Sequence, residues 1–345
     1  MASVLESLNT GLHRALQADP TVYLLGEDIL DPYGGAFKVT RGLSDAYPDR
    51  VLASPVSEAG LTGLAAGMAL RGLRPVVEVM FGDFITLAAD QLINGAAKFR
   101  WMYHDQVKIP MVLRTPMGGR RGYGPTHSQT LEKLYLGVPG LEVLAPCPFG
   151  DPGEMLIETI LGSENPTLFV ENKLLYLLPV AGTGAVGEFD IRPWITDGTD
   201  TTARAAVNSP NFRLQLRGAP PPVVTIAAYG YTAELARQAV QALAFEHEIF
   251  AELIVPTRLA PVDAEAILQS AGQTGRLLVA EEGSLTLGWG AEILARALES
   301  PDYSLGRAGR VAARETPIPA APALEEKALP GVDDIVQRAL ELTAS

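Results

Sequence analysis

Short apolar runs alternate along the chain with longer segments whose apolar residues recur at helical spacing. The apolar runs predict strands at Val22–Leu25, Val51–Ala53, Pro75–Val79, Pro110–Arg114, Val143–Ala145 and Thr167–Val170. The helical spacing predicts helices near 3–17, 58–71, 84–102 and 152–161. A second block begins near Pro221, with strands expected at Val223–Ala228, Ala251–Val255, Leu277–Ala280 and Val311–Ala313. Its helices are expected at 231–244, 262–270, 289–298 and 332–343. This alternation predicts two α/β domains, residues 1–180 with a largely parallel sheet and residues 221–345. Between them, 181–220 is rich in Gly and Thr without steady periodicity, and is expected to be an interdomain linker or insertion.

Composition narrows the function. A net charge of −13 with no basic stripe excludes a nucleic-acid partner, because phosphate binding needs a concentrated basic surface. No apolar run reaches the length of a membrane span, and the N-terminus lacks the basic region and continuous apolar stretch of a signal peptide, so a cytoplasmic location is expected. The single cysteine, Cys147, excludes an internal disulfide and sits in a Leu-Ala-Pro-Cys-Pro turn, where a small buried residue is expected.

Two segments carry candidate chemistry. In Ser54-Pro-Val-Ser-Glu-Ala-Gly60, one carboxylate, Glu58, stands where an extended segment turns into a small-residue helix. A glycine-rich loop, Met117-Gly-Gly-Arg-Arg-Gly-Tyr-Gly124, leads into Pro-Thr-His-Ser-Gln129 and carries His127. An acidic residue in a first helical turn also suits the helix dipole, so Glu58 alone marks no site. His13, His104 and His247 have no comparable setting. Ala59, Gly63 and Gly67 recur every four residues and form a smooth stripe on one helix face, a place where another backbone can approach closely.

The ordered set Gly26-Glu-Asp28, Gly34-Gly-Ala-Phe-Lys-Val-Thr-Arg-Gly-Leu43, Ser57-Glu-Ala-Gly60, Arg74-Pro-Val-Val-Glu-Val-Met-Phe-Gly-Asp-Phe84 and Asp90–Arg100 adds to the His-Ser-Gln loop. In the second half come Val224–Gly230, Arg276-Leu-Leu-Val-Ala-Glu-Glu282, Gly288-Trp-Gly-Ala-Glu292 and Thr316-Pro-Ile-Pro319. Together they resemble the β-subunit of the thiamine-diphosphate-dependent E1 component of 2-oxoacid dehydrogenases, over nearly the whole chain except 181–220. The resemblance implies a transketolase-like pyrimidine-binding domain followed by a transketolase C-terminal-like domain. It implies that Glu58 hydrogen-bonds the aminopyrimidine N1′ and so triggers activation of the cofactor. It implies further that Phe84 packs on the pyrimidine, that Glu27 supports Glu58, and that His127 faces the 2-oxoacid and assists acyl transfer to a lipoyl carrier. A structural K⁺ is implied at Met111, Ile160, Leu161, Ser163 and Asn165. Ser163 departs from the usual aspartate there, and a hydroxyl is the poorer partner for a hard cation.

What the sequence lacks matters equally. No Gly-Asp-Gly precedes an Asn at the spacing that holds Mg²⁺ and the diphosphate: Gly82-Asp-Phe84 has no second glycine, and Asp197-Gly198 has no first. The expectation is half an active site. An α-subunit would supply the Mg²⁺ site in an α₂β₂ heterotetramer, with the glycine stripe at a subunit contact, a lipoyl-bearing E2 as a further partner and the isolated chain inert. Two alternatives stand beside it: a split transketolase-like subunit acting on sugar phosphates, and a catalytically silent assembly subunit.

Overall fold

The computed structural model describes residues 1–194 and 209–344. Fourteen strands are described: β1 (Val22–Gly26), β2 (Val51–Ala53), β3 (Arg74–Glu78), β4 (Val112–Met117), β5 (Glu142–Leu144), β6 (Thr167–Asn172), β7 (Gly184–Val186), β8 (Phe189–Trp194), β9 (Asn211–Leu216), β10 (Val224–Ala228), β11 (Ala251–Val255), β12 (Arg258–Ala260), β13 (Arg276–Ser284) and β14 (Arg307–Ala313). They form two seven-stranded sheets, ordered β12-β5-β6-β4-β3-β1-β2 and β14-β13-β10-β11-β9-β8-β7.

The first sheet is parallel except for β12, which runs antiparallel to β5. From β1 the chain crosses to β2 on one side and then to β3 on the other, with Gly26 opposite Glu78. Such a reversal leaves a crevice outside the carboxyl ends of the two strands, where open α/β sheets bind ligands. Helices flank the strands at the predicted places. The first, Val4–Ala18, starts at a reciprocal cap in which Ser3 Oγ accepts the Glu6 N–H and the Glu6 carboxylate accepts the Ser3 N–H. Helix Glu58–Leu70 starts at Ser57, whose Oγ accepts the Gly60 N–H.

Three elements differ from expectation. Residues 181–220 are not an irregular connector throughout: β7, β8 and β9 add an antiparallel meander to the second sheet against β11. Alternation was there to be read, since Phe189 and Ile191 on β8 and Phe212 and Leu214 on β9 are buried while Arg192 is exposed. The decoy Asp197-Gly198 lies outside the described residues. The helix expected over 84–102 is broken into a 3₁₀ turn (Gly82–Thr86), a π-helical stretch (Gln91–Ala96) and a short α-helix (Ala97–Met102). β12, too short to show a period, comes from the second half of the sequence yet completes the first sheet.

The two halves share a core. Ile85, Leu92 and Met117 from the first sheet's layer cluster with Tyr229, Ile254 and Trp289 from the second. Burying a side chain of this size contributes roughly 1.5–3 kcal/mol, so the halves are packed as one body. At the centre of the first sheet Arg114 lies between two carboxylates. It holds Glu171 with two hydrogen bonds of 2.9 and 2.7 Å and pairs with Glu78, while Tyr176 donates to Glu171. Cys147 is buried as expected, and burial pushes its thiol up to about 12. Among the described residues, no helix is long and apolar enough to cross a membrane.

Candidate functional site

Each residue expected at the cofactor follows the carboxyl end of a first-sheet strand. Glu27 follows β1, Glu58 the turn after β2, Phe84 the turn after β3, and His127 the loop after β4. Glu27 and Phe84 thus stand on either side of the β1/β3 reversal. Glu27 and Glu58 are 2% and 5% exposed, deep enough for loss of solvation to be costly. Glu27 Oε1 accepts the Ser57 N–H at 2.8 Å and so fixes the start of the helix that carries Glu58. Its Oε2 is buried without a partner. Burial, with the neighbouring Glu58 charge, pushes the Glu27 carboxyl above its ordinary range. The Glu58 carboxylate accepts no hydrogen bond among the described residues, although its backbone carbonyl accepts the Thr62 hydroxyl at 2.7 Å. Two adjacent buried carboxyl groups with open acceptor sites can take an N–H or share a proton with a ligand nitrogen.

Beyond them lies an aromatic floor. His127 packs edge-on against Phe81, ring centroids 4.9 Å apart, and against Phe84 at 5.2 Å. Phe81 also meets Phe37 and Tyr123. The Thr126 hydroxyl lies 3.1 Å from His127 Nδ1, and Nε2 has no partner among the described residues. Phe81 was not singled out in the sequence, although its place in Met-Phe-Gly-Asp-Phe beside Phe84 was a signal.

Lys173 and Asp83 were also missed. Lys173, just after β6, is 1% exposed; its ammonium donates to the Gly118 and His127 carbonyls, both at 2.7 Å, and lies 5.2 Å from the Phe81 ring centre. Burial pushes its pKa down to about 8. Asp83, in the failed Gly-Asp-Gly decoy, has a structural place: Oδ1 accepts the Gln129 N–H and side-chain amide at 3.2 and 2.8 Å.

Four of the five residues expected around K⁺ already have an oxygen engaged. Arg74 donates to the Ile160 and Ser163 carbonyls at 2.8 and 3.0 Å, and Arg100 to Asn165 Oδ1 at 3.0 Å. The Met111 carbonyl accepts the Thr167 N–H at 2.9 Å. A guanidinium therefore faces three of the five residues, where a second cation would meet a like charge. Asn165 also lines a cavity of about 640 Å³ with Trp101, Leu141 and Arg258, away from Glu58, Phe84 and His127. The described residues contain no group of three or more His, Cys, Asp or Glu placed to hold a metal ion. Of the stripe Ala59, Gly63 and Gly67, the first and last are exposed, whereas Gly63 is half-buried, and a Cβ there would lie 3.1 Å from Gln91 Oε1 of the same chain.

Comparison with known proteins agrees with this architecture. Residues 1–178 match the transketolase pyrimidine-binding domain and residues 218–335 the transketolase C-terminal domain. A solved structure described as a split gene transketolase, inactive β4 tetramer, shares the fold with a TM-score of 0.71 at 21% identity, covering 100% of both chains. The chain is thus a two-domain protein of transketolase type. It is also 38% identical over 340 residues to the pyruvate dehydrogenase E1 component subunit beta-2, mitochondrial, of Oryza sativa subsp. japonica, covering 98% of this chain and 85% of that one. The corresponding subunit of Rickettsia bellii is 33% identical, covering 97% of this chain and 96% of its own. The yeast mitochondrial subunit is also 33% identical, with 99% and 88% covered. The chain belongs to the family of E1 component β-subunits of the pyruvate dehydrogenase type.

Proposed function

We propose that the chain works as the β-subunit of a 2-oxoacid dehydrogenase E1 component. With an α-subunit it would decarboxylate a 2-oxoacid and pass the acyl group to a lipoyl carrier. The observation that carries this reading is the pair of buried carboxyl groups at the sheet reversal: one Glu27 oxygen has no partner, and the Glu58 carboxylate accepts no hydrogen bond among the described residues. The family relationship and the aromatic floor beside that reversal support it.

These residues fit thiamine diphosphate at its pyrimidine end. Glu58 would hydrogen-bond the ring nitrogen N1′ and give it a proton, Glu27 would keep Glu58 in place through Ser57, and Phe84 would pack on the ring. When bound, the cofactor supplies a carbon nucleophile and an electron sink for decarboxylation. His127 would meet the 2-oxoacid carboxylate through its free Nε2, and the surrounding aromatic rings would limit water there. General acid–base help of this kind contributes roughly 10²–10⁴-fold. Mg²⁺ and the diphosphate are assigned to the partner chain, because no Gly-Asp-Gly motif is present here. K⁺ is not needed: Arg74 supplies the positive charge facing the Ile160 and Ser163 carbonyls. The small-residue face of helix Glu58–Leu70, exposed at Ala59 and Gly67 next to Glu58, suits a close subunit contact in an α₂β₂ assembly.

The test is co-expression with an α-subunit and assay with 2-oxoacids and with sugar phosphates. The expected result is turnover of a 2-oxoacid, largely abolished by Glu58→Gln. Turnover of sugar phosphates alone would move the chain to the split-transketolase reading. A complex that binds no thiamine diphosphate would make it an assembly subunit.

A further inference from the structure

The loop that carries His127 is held from the other domain. Its N–H groups point onto two carboxylates that are 4% and 3% exposed, Glu282 and Glu325. Glu282 Oε1 accepts the Gly119 N–H at 2.7 Å, and its Oε2 accepts the Asn172 amide at 3.2 Å. Glu325 Oε1 accepts the Arg120 N–H at 2.8 Å, and its Oε2 the Gly122 N–H at 3.0 Å. The Arg120 guanidinium reaches the Pro330 carbonyl.

The backbone is shaped for this. Residues 118, 120, 122 and 124 all have positive φ, from +65° to +92°. Such alternation can gather N–H groups on one side as an anion-binding concavity. Gly118 and Gly119 also leave no room for a side chain. A Cβ on the first would lie 2.3 Å from the Asn172 amide nitrogen, and one on the second 2.5 Å from Leu329 Cδ1. Arg120 has no glycine freedom at φ +65°, so its strained backbone persists only because its surroundings over-determine it. At the far end of the loop, Lys173 ties the His127 carbonyl to that of Gly118, so the clamp reaches the histidine's own backbone.

We propose that Glu282 and Glu325 are positioning residues: by gripping the 119–122 backbone from the second domain, they set where the His127 imidazole stands over the Phe81–Phe84 floor. Neither need touch the substrate; both act through the loop. The proposal rests on the assignment of His127 to the substrate side.

The decisive experiment is a double-mutant cycle on the assembled complex, with hydrogen exchange as a second readout. Glu325→Gln puts an amide donor against one of two N–H groups. It should speed exchange of the 119–127 amides at least about tenfold without changing exchange in helix Glu58–Leu70. It should lower kcat about 10²-fold, the effect of roughly 1 Å of misplacement, with thiamine diphosphate affinity unchanged. In a His127→Ala background the same substitution should cost nothing further, because the group it positions is gone. Glu282→Gln, a milder change, should behave alike and serves where Glu325→Gln does not fold. Equal losses in both backgrounds, or unchanged exchange at 119–127, would overturn the proposal. Full turnover by His127→Ala alone would instead remove the role given to His127, while the exchange measurement would still decide whether the clamp exists.

Discussion

Glu27 and Glu58 at the edge of the first sheet, and Glu282 and Glu325 in the second domain, are the same functional group at nearly the same burial. Their partners divide them. Glu282 and Glu325 fill all four carboxylate oxygens with N–H donors of the chain. Glu27 fills one of its two and Glu58 none among the described residues. A buried acid whose oxygens are satisfied holds structure, whereas one left open must find its partner in a ligand or bear the cost of desolvation. Burial alone therefore does not mark the site. The accounting of hydrogen bonds separates these two pairs.

Substitution can break this contrast. The largest effect is expected at Glu58. In the assembled complex Glu58→Gln should lower 2-oxoacid turnover by about 10²–10⁴-fold, with Tm unchanged because no hydrogen bond to its carboxylate is lost. A drop in Tm comparable to the loss of activity would put Glu58 with the structural acids.

A third pair sharpens the comparison. Glu132 Oε1 accepts the Tyr229 hydroxyl at 2.6 Å and Glu281 Oε1 the Gly290 N–H at 3.0 Å, but the second oxygen of each is buried without a partner between the domains. Burial, reinforced by Glu132 and offset by the Gly290 N–H, pushes Glu281 up to about 7. The folded chain thus binds this proton more tightly than the unfolded chain does. The resulting stabilisation is complete below the ordinary carboxyl pKa of about 4.3 and is lost as pH rises through about 7. Glu281→Gln should flatten that fall and raise stability at pH 8 by up to about 3 kcal/mol, measured by denaturant unfolding across pH. An unchanged pH profile would show that Glu281 is charged at neutral pH.

Glu325→Ala should act on stability as well as on turnover. It leaves the Arg120 and Gly122 N–H groups without their acceptor, at a cost of about 1–3 kcal/mol for a buried donor. The smallest effect is expected at Glu27. The amide oxygen of Glu27→Gln still accepts the Ser57 N–H, so turnover should fall less than about tenfold.

Much of this contrast was visible in the sequence, though unevenly. Strands Thr167–Asn172 and Arg276–Ser284 are buried along nearly their whole length and show by their apolar runs Leu168-Phe-Val170 and Leu277-Leu-Val-Ala280. The candidate residues Glu58, Phe84 and His127 stood out because local motifs carry them. β12 was not, because three residues show no period and their partner β5 is far away in sequence. The meander of β7, β8 and β9 lay in a segment whose Gly and Thr content masked the alternation of Phe189-Asp-Ile-Arg and Phe212-Arg-Leu. Glu281 and Glu282 stand directly after Leu277-Leu-Val-Ala, and acids inside a continuous apolar strand signal burial. What they bind there, loop amides from the other domain, depends on long-range packing that no local pattern records.

The central claim is that Glu58 is the open acid that activates a cofactor shared with a partner chain. Its most direct test is the rate at which thiamine diphosphate bound to the assembled complex exchanges its thiazolium C2 proton for deuterium. The account predicts that Glu58→Gln slows this exchange by at least about 10²-fold while the cofactor remains bound. Exchange at the rate of the unsubstituted complex would contradict it.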